Sequence, residues 1–285
     1  YGKLRELPSI AGREGVGEVI EVGSGVDSKV KGKLVLMPEE PGVWTEYSKS
    51  KAEDLLLLPS LVPLNQLAVS ALNPLTAWRL LNDFEYLREG DFVIQNAANS
   101  AVGLCVIQFA KRIGVECISL VRTPERIRDL EEFGADFVCL DDDDAVERVV
   151  ERTNGKKCSL ALNSVGGRSA LRLAKCLRDG GVHVTFGAMD GSPVRFPTRS
   201  LIFDDLRFVG FWLDKWKRKQ SPGAVVRDGV LRRLELRLFF HRERREARGQ
   251  RAAVEQFDER EAAPAPVRTT VAAMASGSRR WRPSR

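Results

Sequence analysis

The chain has 285 residues, 43% hydrophobic and 29% charged, which suits one large α/β domain or two smaller ones. Its apolar runs stay short of the roughly 18 residues that a membrane-spanning helix needs. The net charge of +6 is uneven: residues 221–285 hold fifteen arginines, no lysine and eight acids, a net of +7 against −1 for residues 1–220. A nucleic-acid reading would therefore rest on the tail alone.

Tyr1 to about Leu58 alternates glycine turns with short apolar runs, as in Gly15-Val16-Gly17-Glu18-Val19-Ile20-Glu21-Val22-Gly23. Such alternation signals small β structure. From Asn65 to Leu87 the period lengthens towards helix. Alternating units then recur: a strand at Phe92–Gln95, a helix at Val102–Ile113, and a strand at Cys117–Val121. A helix follows at Pro124–Glu132, with Thr123 as N-cap and Pro124 in its first turn. The spacing predicts a strand at Phe137–Leu140, a helix at Ala145–Arg152, and a strand at Leu160–Asn163. Gly166-Gly167 then leads to a helix at Ser169–Leu177, and strands at His183–Phe186 and Phe208–Phe211 close the series. Strands alternating with helices imply α/β architecture, a doubly wound parallel Rossmann sheet covered on both faces. Asp141–Asp144 reads as a solvated loop rather than a metal site.

The most informative stretch is Asp91-Phe92-Val93-Ile94-Gln95-Asn96-Ala97-Ala98-Asn99-Ser100-Ala101-Val102-Gly103. An apolar strand ends in small and polar residues and a helix begins, so backbone amides and a helix N-terminus can approach a pyrophosphate. Arg122 lies 19 positions beyond Gly103, at the end of the next strand. Binders of NAD usually carry an acid about 20 residues on, whereas a basic residue suits the extra 2′-phosphate of NADPH.

Beyond Gln220 the composition turns to Arg and Ala, with Ala-Pro-Ala-Pro at 263–266. Two readings stand: a disordered basic arm, or an extension that is not the native continuation of the gene. The five cysteines (Cys105, Cys117, Cys139, Cys158, Cys176) include no Cys-x-x-Cys pair. That argues against a disulfide framework or a four-cysteine zinc lobe, and for reduced thiols in a cytosolic or organellar matrix. The chain starts at Tyr1 rather than Met, so the native start is expected to be missing and no address is read from it.

With the dinucleotide unit placed, the flanking residues are recognisable. Tyr1-Gly2, Leu7-Pro8 and Gly12-Arg13-Glu14-Gly15-Val16 resemble the catalytic-domain region of trans-2-enoyl-CoA reductases, mitochondrial enoyl-thioester reductases of the medium-chain dehydrogenase/reductase superfamily. The resemblance runs through Asn73-Pro74-Leu75-Thr76-Ala77-Trp78, Gln95 to Gly103, and Ala161 to Gly167. It continues through Thr185-Phe186-Gly187-Ala188-Met189 to Gly210-Phe211-Trp212-Leu213-Asp214-Lys215-Trp216, and stops near residue 220. It implies a partial GroES-like, β-rich catalytic domain over residues 1–70, an NADPH-binding domain over 71–220, and a tail over 221–285.

The resemblance also implies NADPH-dependent reduction of trans-2-enoyl thioesters, carried on CoA or acyl-carrier protein, in mitochondrial fatty-acid synthesis. Hydride would go to C3, with charge developing on the thioester oxygen before C2 is protonated. Tyr1 matches the catalytic tyrosine. Asn73, Asn99, Ser100, Ala101 and Val102 match positions around the nicotinamide and phosphates. Arg122, Thr123 and Pro124 match those at the 2′-phosphate. Phe186, Gly187, Ala188 and Met189, with Phe211, Trp212, Leu213 and Asp214, match stretches against the nicotinamide end and the acyl pocket. Ala101 stands where relatives carry glycine, and Arg13 where zinc-dependent members place His, so a zinc-free enzyme is expected. A homodimer in the mitochondrion is implied, with no membrane or nucleic-acid partner. Two alternatives stay open: a quinone reductase of the same superfamily, and a non-catalytic NADPH-binding fragment with a basic, nucleic-acid-binding tail.

Overall fold

A computed structural model describes residues 6–39, 42–60, 62–220 and 269–274. In chain order its first elements are β1 (Val16–Val22), β2 (Leu34–Leu36), β3 (Tyr47–Lys51), β4 (Leu56–Leu57), α1 (Leu64–Ala68) and α2 (Asn73–Asn82). Next come β5 (Phe92–Gln95), α3 (Ala101–Arg112), β6 (Glu116–Val121), α4 (Pro124–Glu132), β7 (Phe137–Leu140) and α5 (Ala145–Arg152). The series continues with β8 (Cys158–Asn163), α6 (Gly167–Lys175), β9 (Leu177–Thr185), α7 (Thr198–Ile202), β10 (Arg207–Gly210) and α8 (Leu213–Arg218). The last is β11 (Thr269–Met274).

Two compact units form. One combines the chain before Asn73 with β11; the other starts at Asn73 and holds the remaining elements. The first carries a sheet of order β3-β11-β1-β2-β4, in which β11 pairs parallel with both β1 and β3. Val19, Val35, Met37 and Val43 form one small core there, and Val16, Leu58, Val62 and Leu67 another. Sequence patterning did not single out β11. Its Thr-Thr-Val run is β-branched and favours extended backbone, but it lies inside an Arg- and Ala-rich stretch with no alternation. The rest of the tail reading lies outside the described residues.

The second unit is a six-stranded sheet of order β10-β9-β8-β5-β6-β7, parallel throughout. Its strands read as continuous apolar runs because helices cover both faces: β8 is buried at every position. Ile94, Ile118, Leu120, Ala161 and Leu173 form its centre, all fully buried. The strand order turns at β5, with β6 on one side and β8 on the other, and ligands of such sheets gather outside the carboxyl ends at that point.

Some boundaries differ from the sequence expectation. Strand β9 begins at Leu177 rather than His183, because Leu177 pairs with Cys158 ahead of a register shift, beneath the polar Arg178-Asp179-Gly180 stretch. Helix α6 accordingly runs two residues earlier than predicted. Asp141–Asp144 is not simply solvated. Asp141 is half-buried, its side chain 8% exposed beside Arg172, and Asp142 pairs with Arg148, while Asp143, its side chain 77% exposed near Arg168 and Arg172, and Asp144 face solvent as expected.

Candidate functional site

The turn between β5 and α3 is built from residues that let two backbones approach closely. Ala97 adopts a φ of 46°, a left-handed conformation that costs an alanine energy and persists because its neighbours hold it. Ala98 is fully buried, and its N–H donates to the Leu120 carbonyl at 3.2 Å, pinning the turn to β6. Ser100 caps α3 with extended backbone, its Oγ accepting from Gly103 N–H at 3.2 Å. A Cβ on Gly103 would overlap the Ala98 carbonyl oxygen, so glycine lets the helix start lie against the turn. The N–H groups of Ala101 and Val102 fall in the first helical turn, which has no acceptors of its own and carries the positive end of the helix dipole. Ala101 is exposed and has no positive φ, so its backbone does not call for a glycine.

At the end of β6, Arg122, Thr123 and Pro124 are all exposed. Thr123 sits at the N-cap of α4 without a side-chain cap bond. Among the described residues nothing engages the Arg122 guanidinium, whereas neighbouring Arg126 is drawn to Asp129 at 3.1 Å. The Glu125 carboxyl is held below its ordinary range, first by its own N–H and then by the Thr123 hydroxyl.

The segment after β9 lies along the turn after β8. Phe186 N–H donates to the Asn163 carbonyl at 2.9 Å, Met189 N–H to Ser164 at 3.1 Å, and Asp190 N–H to Val165 at 2.8 Å. Gly187 sits so close that a Cβ would lie 2.7 Å from the Ser164 carbonyl oxygen. Phe186 is half-buried, and Ala188 and Met189 are exposed. Gly166 and Gly167 open α6 with φ values of 99° and 52°, so this pair answers a backbone demand. After β10, Phe211 N–H donates to Thr185 at 2.9 Å and its ring meets Phe84 edge-on. Leu213 is buried, Asp214 half-buried and Trp212 exposed beneath the Arg218 guanidinium, while Trp216 stacks under Arg79. Asn73, half-buried, opens α2. The predicted site residues of this unit outside α2 thus sit at the carboxyl ends of β5, β6, β9 and β10. Tyr1 lies outside the described residues.

One group of residues had no assigned role in the sequence. Asn96 and Asn163 are buried at 2% and 0% exposure, at the start of the β5–α3 turn and of the turn after β8. The Asn96 amide donates to Asn163 Oδ1 at 2.9 Å and to Ser169 Oγ at 2.8 Å, and its carbonyl accepts from Ser164 N–H at 2.8 Å. Asparagine at a strand end reads as turn chemistry in a sequence, so no local signal marks this use.

The residues do not fit a catalytic zinc. Arg13 is paired with Glu39 at 2.6 Å. The five cysteines are buried, and desolvation pushes the Cys117 and Cys176 thiols up to about 12. His183 is enclosed by Phe196 and Phe208, and no cluster of three potential ligands occurs among the described residues.

A parallel sheet of this order, with a glycine-dependent strand-to-helix turn at its switch point, defines a Rossmann-type dehydrogenase/reductase domain. Residues 101–226 match the zinc-binding dehydrogenase family. The mitochondrial enoyl-[acyl-carrier-protein] reductase of Rattus norvegicus is 41% identical over 231 residues, covering 78% of this chain and 61% of its own length. That of Dictyostelium discoideum is 37% identical over 257 residues, covering 85% and 73%. The chain belongs to this enoyl-thioester reductase family of the medium-chain dehydrogenase/reductase superfamily. It spans about three fifths of the length of several of the relatives it matches. Among solved structures, the mitochondrial 2-enoyl thioester reductase heterodimer of Candida tropicalis matches with a TM-score of 0.68 and 30% identity, covering 77% of this chain and 67% of that one. A putative NADPH:quinone reductase from Bacillus thuringiensis matches with a TM-score of 0.68 and 29% identity, covering 78% and 67%.

Proposed function

We propose that this chain carries the NADPH-binding part of a mitochondrial reductase acting on trans-2-enoyl thioesters of CoA or acyl-carrier protein. The observation that carries the reading is the β5–α3 turn, closed by Gly103 against Ala98 and followed at the end of β6 by Arg122, whose guanidinium has no partner among the described residues. Two features support the reading: Gly103 lets the helix start lie tight against the turn, and Arg122 offers a guanidinium suited to the added charge of a 2′-phosphate.

In this reading Asn99, Ser100, Ala101 and Val102 hold the pyrophosphate, and Arg122, Thr123 and Pro124 the 2′-phosphate. Asn73, Phe186–Met189 and Phe211–Asp214 face the nicotinamide and acyl end. When bound, NADPH supplies a hydride to C3 of the enoyl thioester. Negative charge would then gather on the thioester oxygen, and the Tyr1 hydroxyl would stabilise it by donating a hydrogen bond until C2 takes a proton from solvent water. Localisation in the mitochondrion rests on the names of the relatives. A homodimer is supported by β10, which ends the sheet with Val209 exposed, beside the exposed side chains of Leu201, Ile202 and Phe203.

The test is cofactor oxidation driven by a trans-2-enoyl-CoA, with NADPH and NADH in parallel and a quinone as competing substrate. Enoyl-CoA with NADPH is expected to dominate. Equal rates with NADH would overturn the role of Arg122, and turnover of the quinone alone would favour the quinone-reductase reading that the Bacillus thuringiensis neighbour suggests. Tyr1→Phe is expected to lower kcat by about 100-fold or more, as loss of a donor to a developing oxyanion does, with cofactor affinity unchanged.

A further inference from the structure

We propose that Asn96 and Asn163 are positioning residues that lock the phosphate turn to the segment facing the nicotinamide, an inference that rests on the NADPH reading above. The Asn96–Asn163 pair lies at the centre of a buried hydrogen-bonded chain across the carboxyl edge of the sheet. From one end, Asn163 Nδ2 donates to Thr185 Oγ1 at 3.1 Å, at the tip of β9 where Phe186 begins. Asn163 Oδ1 accepts from Asn96 Nδ2 and also from the N–H groups of Val165 and Gly166, at 3.2 and 3.0 Å. Asn96 passes the connection to Ser169, whose hydroxyl donates to Asp141 Oδ2 at 2.5 Å, at the tip of β7. The chain therefore joins the tips of β9, β8, β5 and β7.

These bonds are not needed to fill space. Apolar residues of like volume would pack there without the cost of burying amides. Both Asn96 donors and its acceptor are used, while Asn163 Oδ1 accepts three bonds and its Nδ2 donates one, to Thr185. What the web adds is direction: each amide fixes a hydrogen-bond vector, whereas an apolar contact tolerates sliding. Asn96 immediately precedes Ala97, the left-handed residue that shapes the phosphate turn. Asn163 holds, through its own carbonyl, the N–H of Phe186. A ligand that spans from pyrophosphate to nicotinamide needs these two stretches in fixed register, while one that ends at the adenine half does not.

The test uses the full chain and direct binding, so it does not depend on turnover. Asn96→Asp keeps the shape and the acceptor for Ser164 N–H, but removes both donors and sets a carboxylate against Asn163 Oδ1. NADPH and 2′,5′-ADP, which lacks the pyrophosphate bridge and nicotinamide, are titrated against wild type and variant. NADPH affinity is expected to fall about tenfold or more, the equivalent of one or two buried hydrogen bonds, with 2′,5′-ADP affinity unchanged. Ser169→Ala, a milder cut at the far end of the web, is expected to weaken NADPH alone by a few-fold, and Ser169→Thr, which keeps the hydroxyl, to restore it. Equal losses for both ligands would mean that the web serves only the fold, and no loss for either would overturn the proposal as well. Failure of the wild-type chain to bind either ligand would instead overturn the NADPH reading.

Discussion

At Gly103 a single methyl group would press on the Ala98 carbonyl, which is backbone and cannot swing away. Gly103→Ala is therefore expected to cost about 1–3 kcal/mol, the usual penalty of overpacking, read as a lower denaturant midpoint, and to weaken NADPH binding. His183 offers a second test at this scale. Burial holds its imidazole at about 4, below the ordinary value of 6.5, its Nε2 lies 3.2 Å from the Ala170 carbonyl and its Nδ1 has no partner among the described residues. The unfolded chain thus binds the proton more readily than the folded one. The stability this group contributes is complete above about 6.5 and is lost as pH falls towards 4, a loss of about 3 kcal/mol. His183→Leu should flatten that acid limb in pH-dependent unfolding; an unchanged slope would show that other groups control it.

Among the elements, the strands and the helices up to α6 of the second unit were legible because apolar runs bounded by Gly, Pro and polar residues leave few alternatives, whereas the short helices α7 and α8 were not foreseen. β5, α4, β7 and α5 fall where the pattern puts them, and Pro124 marks the start of its helix. The first residues of β9 were hidden because their pairing is set by Cys158 on another strand, not by their own polar sequence. The place of Arg122 at the end of β6 follows from spacing alone, whereas the hydrogen bonds of Asn96, Asn163 and Asp141 do not. Their roles depend on partners 22 to 73 positions away in the chain, which no local pattern encodes. Strand β11 has its own test. It lies between β1 and β3, with Val271 opposite Val19 and Ser48, and proline is tolerated only where no ladder bond is needed. Val271→Pro is expected to speed hydrogen exchange at β1 amides while those of β5 and β6 stay protected. Unchanged exchange in β1 would show that β11 does not hold the sheet together.

For the molecule as a whole, the exposed edge of β10 and the apolar Leu201-Ile202-Phe203 surface give the dimer proposal a direct readout. Phe203, 71% exposed, makes no contribution to the core that a charge would disrupt. Phe203→Asp is expected to turn a sedimenting dimer into a folded monomer; a variant that remains dimeric would place the interface elsewhere. A monomeric wild type would remove the proposal outright.

The two sheets also differ in how they can be made on the ribosome. Every strand of the six-stranded sheet is encoded between Phe92 and Gly210, so it can close while translation is still under way. In the other sheet, among the described residues, β3 has no pairing partner except β11, which is translated more than 200 residues later. Until Met274 emerges, β1 and β3 present open edges in a chain whose other unit is already complete. A nascent chain of this kind invites chaperone binding and strand exchange with neighbours on the same polysome. The last strand to be synthesised is the one that joins two of the first.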